Sequence, residues 1–552
     1  MFKAGQVASQ HRLKIGLLMV LLSLGLLFRC VNLDRKVFWV DEVATALRVA
    51  GYTRQEVTAI LADGQLHTPA ELLAYQRLTP DRSLADTITA LQQSPEHAPL
   101  YFLLLRLWTQ IWGSSVTAIR SFSVVCSLLL VASGYWLSRT LFASIQAASG
   151  QADGSQTPIW VSGIMAASMA ISPLLIAYAQ EARPYSLWLL TLTLSGITLL
   201  RALRTNRIAD WAFYALALGA SLYTSFLSGG VAIGQGFYVL TLEKFCLTQR
   251  LHRFALAIVC GLTALLPWLW LIVQRWHLLQ DNTTWMRIPI PHFAKIVIWF
   301  YSVAILYFDV PVILHPRLIA AAEMTLATGV VAVVINALYV LCRSTPPRIW
   351  LFVLSLSLPI PLMLVLLDLS SNGRYSTAPR YLLAFHLGSQ LAIAYLLSHR
   401  LTEKERSQRH QWHGVAAFLI SVSLLSNFVH LETSPRYLKN RNLHNFSITN
   451  IINQSPQFSL ISESQNTIDL LSLSHSLDQS NRIQILPPDT FDQISNLRSC
   501  RFLFNPSDRL KQQIQQDEAL QLAELYRPQV LIPTEFALSL WQLCPLNSVT
   551  QP

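Results

Sequence analysis

The sequence predicts a mainly α, polytopic membrane helix bundle followed by a small α/β domain outside the membrane. Three observations carry this reading. Of the 552 residues, 52% are hydrophobic and only 13% charged, too apolar a balance for a water-soluble domain of this length. Apolar runs near the ~20 residues needed to cross a bilayer recur as far as about residue 432. Beyond that point the chain turns polar, rich in Ser, Asn and Gln, and such runs stop.

The first run, Ile15 to Val31, follows Lys3, Arg12 and Lys14 and lacks a small-residue cleavage site. It therefore reads as a retained anchor rather than a signal peptide. With it, spans are expected at 15–33, 116–140, 158–178, 185–203, 210–226, 228–243, 254–275, 318–342, 349–368, 380–398 and 412–431, about eleven in all. Basic residues cluster at Arg201, Arg204 and Arg207; at Lys244, Arg250 and Arg253; at Arg343 and Arg348; and at Arg400, Lys404, Arg406 and Arg409. The positive-inside rule makes those loops and the amino terminus cytoplasmic and puts the tail outside. Most of the +11 net charge lies in these connections, where it sets orientation, so no nucleic-acid partner is implied. The stretch Ala98 to Trp112 has 15 residues and would reach ~22 Å against a ~30 Å core, as an interfacial or re-entrant helix does.

Two domains follow: a membrane domain at 1–434, with a long first outer loop at 34–97, and a soluble domain at 435–552. In the tail, FSLISE, RIQILPP, RFLFNP and PQVLIP read as short strands, with helices at SQNTIDLLSLSHSL and PSDRLKQQIQQDEALQLAELY. Cys500 and Cys544 share this tail and could pair in an oxidising compartment; the other five cysteines lie in or beside apolar runs. The sequons at Asn282, Asn445 and Asn453 are short enough to arise by chance.

The outer face collects ionisable residues. Asp41 and Glu42 follow the aromatic pair Phe38 and Trp39 in FWVDEVAT; taken alone, they read as acids opening an amphipathic helix. In SPEHAPLYFLL, His97 stands at a helix start. SPLLIAYAQEARPYSLW sets Gln180, Glu181 and Arg183 between two apolar runs, where charge is costly unless paired or wet. Glu181 neutralising Arg183 is the bland reading there. Arg380 in APRYLLAF reads as a snorkelling interfacial arginine unless it has an anion to meet.

In that order, the outer-loop Asp-Glu, the HxP-Leu-Tyr helix start, the QEARPY turn and the late PRY resemble the bacterial C-type glycosyltransferases. More narrowly, they resemble the protein O-mannosyltransferase-like family that includes the lipid A aminoarabinose transferase. The likeness covers roughly residues 15–400 and leaves the tail unaccounted for. It implies a polyprenyl-phosphate sugar donor, a site on the outer face of a bacterial plasma membrane, and transfer with inversion. Asp41 matches the family's outer-loop acid and would be the general base, with Glu42 as second acid. Where such proteins often read HPP this chain reads HAP, which leaves the role of His97 open. Arg183 and Arg380 would meet the departing phosphate, with Tyr185 and Tyr381 hydrogen-bonding nearby. His97, Gln180 and Glu181 would line the substrate side.

A divalent metal on Asp41, Glu42 and His97 stays open, as does the acceptor, whether glycan, lipid or protein. No Walker-type GxxxxGK[ST] sequence is present. The alternative is a transporter or a lipid or sugar flippase, in which the same charges line a path through the membrane.

Overall fold

The computed structural model describes residues 2–148, 157–310, 317–402, 405–433, 441–487, 497, 499–528 and 537–546. Lys404, most of the PQVLIP segment and the first residues of the tail lie outside them.

All eleven expected spans are helical. Among the described residues, seven helices are long and apolar enough to cross a membrane. Two bent pairs, Pro158–Ile171 with Pro173–Ala179 and Pro347–Ser357 with Pro359–Ser371, raise the number to nine. The remaining two, Ile208–Thr224 and Ser228–Leu242, are shorter, at 17 and 15 residues. The chain is a polytopic membrane protein.

It divides into two compact units. The first comprises Met1–Leu33, Ser94–Tyr101 and Arg120–Pro435 and holds every membrane-length helix, save the first turn of the one that starts at Val116. Its most informative feature is the 59° break between Ile171 and Pro173. Proline has no N–H to give the carbonyl four residues back, so the end of helix Thr157–Ile171 needs donors from elsewhere. Arg29, fully buried at the end of helix Phe2–Cys30, supplies them: it donates to the Met169 carbonyl at 2.9 Å and the Ala170 carbonyl at 2.5 Å. Its remaining bonds run to Gly25 O and Ser127 Oγ, both at 2.9 Å. Asn427 donates to the next carbonyl, Ile171, at 2.7 Å. Gly25 lets the two helices approach this closely, since a Cβ there would lie 2.4 Å from the Ala170 oxygen.

The second unit comprises Asp34–Gln93, Phe102–Ile119 and Arg436–Pro552, so the long loop after the first helix and the tail fold together. Its sheet has strands β1 (Leu66–His67), β2 (Leu460–Glu463), β3 (Ile483–Leu486), β4 (Arg501–Phe504), β5 (Leu520–Tyr526) and β6 (Leu540–Pro545). Their order is β1-β3-β2-β4-β6-β5. β2 runs parallel to β3 and β4, whereas β1 joins β3 antiparallel. Ile461, Leu503, Ile514 and Leu543 sit in the core between this sheet and helix Asp508–Gln516.

Three of the expected tail strands form. One expectation is corrected: the helix expected to run on through QLAELY ends at Gln516, and Leu520–Tyr526 is a strand. Asp517 adopts an extended backbone and accepts from the Ala519 amide at 2.9 Å, a local turn that stops the helix. β6 then pairs the segment antiparallel. Cys500 and Cys544 are joined by a disulfide. The sequons at Asn445 and Asn453 are spoken for: Asn445 is buried and donates to Ser472 Oγ, and Asn453 bonds Ser476 and Asn481. The helix expected at Ala98 to Trp112 spans Leu100–Trp112, 13 residues. Its Arg106 donates to Val49 O at 2.7 Å and Thr87 Oγ1 at 2.9 Å.

The disulfide closes a separation of 44 residues, for which chain entropy predicts a contribution of about 3–4 kcal/mol. Reduction, or Cys500→Ser, is therefore expected to lower the unfolding midpoint of the tail. Coincident melts with and without dithiothreitol would contradict this.

Candidate functional site

Within the first unit the QEARPY turn joins helix Pro173–Ala179 to helix Tyr185–Thr205. Pro184 breaks the helix and the Arg183 amide turns back onto the Glu181 carbonyl at 2.8 Å. Glu181, Arg183 and Tyr185 are thus held in a tight, buried turn. The Tyr178 and Tyr185 rings pack with centroids 4.8 Å apart, and the Arg183 guanidinium stands 5.9 Å from the Tyr185 centroid. The Tyr178 hydroxyl is within electrostatic reach of Glu181, Tyr185, Arg380 and Tyr381. Two stretches distant in sequence, 178–185 and 380–381, are therefore within electrostatic range of each other.

Arg380 lies 5.1 Å from the Trp285 ring centroid and Arg374 lies 5.7 Å from it, so one indole carries two guanidinium groups. The loop that presents Arg374 is tightly specified. Asp368 accepts from the Tyr375 amide at 2.5 Å and the Ser376 amide at 3.1 Å, and also from the Ser376 hydroxyl. Trp299 Nε1 donates to the same hydroxyl at 2.8 Å. Arg374 itself donates through its amide to Met286 O at 2.8 Å and through Nε to Trp285 O at 2.9 Å. Gly373 permits this approach, since a Cβ would sit 2.7 Å from the Met286 oxygen. Burial, and then the neighbouring Arg380 charge, hold the Arg374 guanidinium below its ordinary value. Arg374 makes no ion pair among the described residues, so two like charges share one partly buried spot, a setting that favours an anion.

Lys295 adds a third cation. It lies on helix His292–Ala304, 3% exposed, and its side chain makes no hydrogen bond or ion pair among the described residues. It is one turn before Trp299 and so on the face that meets the Ser376 loop. Sequence reasoning passed over both Lys295 and Arg374. The signals were a lone lysine in the apolar run HFAKIVIWF and the Asn-Gly turn before Arg374.

Gln180 also ties down a helix end. Its Nε2 donates to the carbonyls of Phe28 at 2.6 Å and Val31 at 2.9 Å, closing the end of the first helix. His97 sits 3.5 Å from Glu96, whose other oxygen accepts from Asn282 at 2.9 Å.

Asp41 and Glu42 belong to the second unit, in the first turn of helix Val40–Ala50, where acids complement the helix dipole. Glu42 is fully buried and Asp41 partly so. The helix ends at Gly51, whose φ of 93° suits glycine. Among the described residues no three or more His, Cys, Asp or Glu side chains gather to hold a metal ion.

No family model matches the sequence, and no curated protein matches it. Among solved structures, the chain is similar to ArnT from Cupriavidus metallidurans in its apo state, with a TM-score of 0.50 and 12% identity, over 96% of this chain and 98% of that one. The same enzyme's structure bound to undecaprenyl phosphate gives a TM-score of 0.49 at 12% identity. Together with the helices and tail sheet described above, the apo likeness identifies the fold over nearly the whole chain as that of ArnT.

Proposed function

We propose that this protein is a membrane glycosyltransferase that moves a sugar from a polyprenyl-phosphate donor to an acceptor hydroxyl outside the cytoplasm, with inversion. One observation carries the reading: Arg374 and Arg380 on Trp285, with Lys295 buried on the adjoining helix, form a cationic aromatic site among apolar helices. A lipid phosphate fits that chemistry, its tail in the membrane and its head on guanidinium forks. The motif order and the ArnT fold support the same class.

In the reaction the acceptor oxygen attacks the anomeric carbon while its proton passes to Asp41. The bond from that carbon to the phosphate oxygen breaks, and polyprenyl phosphate leaves. Phosphate is a good leaving group, so the chemistry needs a base on the acceptor and positive charge where negative charge grows. Arg183, Arg374, Arg380 and Lys295 supply the charge, and Tyr185 and Tyr381 hydrogen bonds. Glu42 orients the acceptor from the same helix turn as the base. His97 and Glu181 complete the substrate side. An exofacial site is part of this proposal. The tail's disulfide supports it, because disulfides persist in oxidising compartments.

The test supplies purified protein with a panel of radiolabelled polyprenyl-phosphate sugars and membrane extract as acceptor. Label should leave at least one donor. Arg374→Gln and Lys295→Met should each raise KM for that donor about tenfold or more, a charged hydrogen bond being worth ~1.5–3 kcal/mol. Transport of labelled lipid across vesicles without covalent transfer would instead favour the flippase reading.

A further inference from the structure

The proposed base sits on a helix whose first turn is held by the tail. Val40 opens that helix, and no side chain of the N-cap residue Trp39 satisfies its free amides. Asn442 accepts from the Val40 amide through Oδ1 at 3.0 Å. Two residues earlier, the Phe38 carbonyl accepts from Ser472 Oγ at 2.6 Å. Both peptide groups flanking Trp39 are therefore fixed by side chains from the far end of the chain. The Phe38 ring also packs on His475, centroids 4.6 Å apart.

These two side chains are themselves held. Asn445 Nδ2 donates to Ser472 Oγ at 3.0 Å. Asn442 Nδ2 donates to Asp469 Oδ1 at 3.2 Å. Asp469, whose side chain is 1% exposed, also takes a fork from Arg441, Nε at 2.8 Å and an Nη at 2.6 Å. Asn442, Asn445, Asp469 and Ser472 are all buried, and all their bonds named here lie within the second unit. A buried network this fully satisfied admits one geometry at low cost and others only by stranding polar groups. The buried helix Thr467–Leu473 supplies Asp469 and Ser472 and packs along helix Val40–Ala50.

We propose that Asn442 and Ser472 are positioning residues for Asp41: through the Val40 amide and the Phe38 carbonyl, the tail fixes the direction in which the first helical turn presents its carboxylate. This rests on the reading of Asp41 as the base. It also gives the tail a task in the reaction. A general base must lie within hydrogen-bond reach of the proton it takes, and an error of ~1 Å in such placement costs about 10²-fold in rate. The two anchors are separate from the donor's cations, so their loss changes the chemical step and leaves donor binding alone.

The test uses the full chain in detergent and the donor that the panel identifies. Asn442→Ala and Ser472→Ala should each lower kcat about 10- to 100-fold, with KM for the donor within about twofold. Ser472→Thr, which keeps the hydroxyl, should restore most of the loss. Hydrogen exchange of the full chain should show faster exchange in a peptide covering residues 38–45 for the two alanine variants, with the tail strands still protected. The decisive measurement is the cycle with Asp41→Asn: on that background neither alanine change should lower the residual rate further, because the group they aim is already gone. Additive losses, or equal exchange at 38–45 in wild type and variants, would overturn the inference. Undiminished turnover by Asp41→Asn alone would instead overturn the base assignment.

Discussion

Asp41→Asn is expected to lower turnover by about 10²–10⁴-fold, the usual worth of a positioned general base. The asparagine keeps the size of the side chain and the helix that carries it, so KM for the donor and the unfolding midpoint should stay close to wild type. Glu42→Gln should cost less, because an acid that orients an acceptor leaves the proton's destination in place. The measurement is single-turnover transfer from the labelled donor at saturating acceptor. Loss of activity accompanied by loss of the folded peak on gel filtration would say nothing about the base, which is why the isosteric change is chosen. Wild-type rates in Asp41→Asn would remove this residue from the mechanism.

Arg29→Leu should be among the most destabilising single changes in the membrane unit. It removes the donors that the Met169 and Ala170 carbonyls use beside the Pro173 break. Each buried carbonyl left without a partner costs ~1–3 kcal/mol, so a loss of about 2–5 kcal/mol follows, larger than truncating an ordinary lipid-facing leucine. Arg29→Lys should fall between, since an ammonium group lacks the planar fork that reaches several acceptors together. Thermal unfolding in detergent, followed by tryptophan fluorescence, reads the difference. An unchanged midpoint in Arg29→Leu would mean that water or lipid takes over those carbonyls.

These two residues also mark what the sequence discloses. The spans were legible because a bilayer imposes one simple demand, about twenty apolar residues in a row, and all eleven segments are helices. Asp41, Glu42, Glu181, Arg183 and Arg380 stood out because charge beside apolar runs is costly. Arg29 and Gln180 were harder to read, since their partners are carbonyls freed by a helix break and a helix end, visible only once the backbone is placed. Lys295 and Arg374 gain meaning only from Trp299, Ser376 and Trp285, which lie on other segments. QLAELY was misread because Gln, Ala, Glu and Leu all favour helix, while the pairing with β6 that makes it a strand is a tertiary choice.

β1 has a consequence for how the protein is made. Gln484 beside it donates to the Gly64 carbonyl at 2.8 Å, across a separation of 420 residues. At the ~5–20 residues per second of ribosomal synthesis, the early loop waits roughly 20–80 s for its neighbours to emerge. A nascent chain thus carries its acids unanchored until Asn442 and Ser472 have emerged, and one terminated before them would be inserted in the bilayer yet inert.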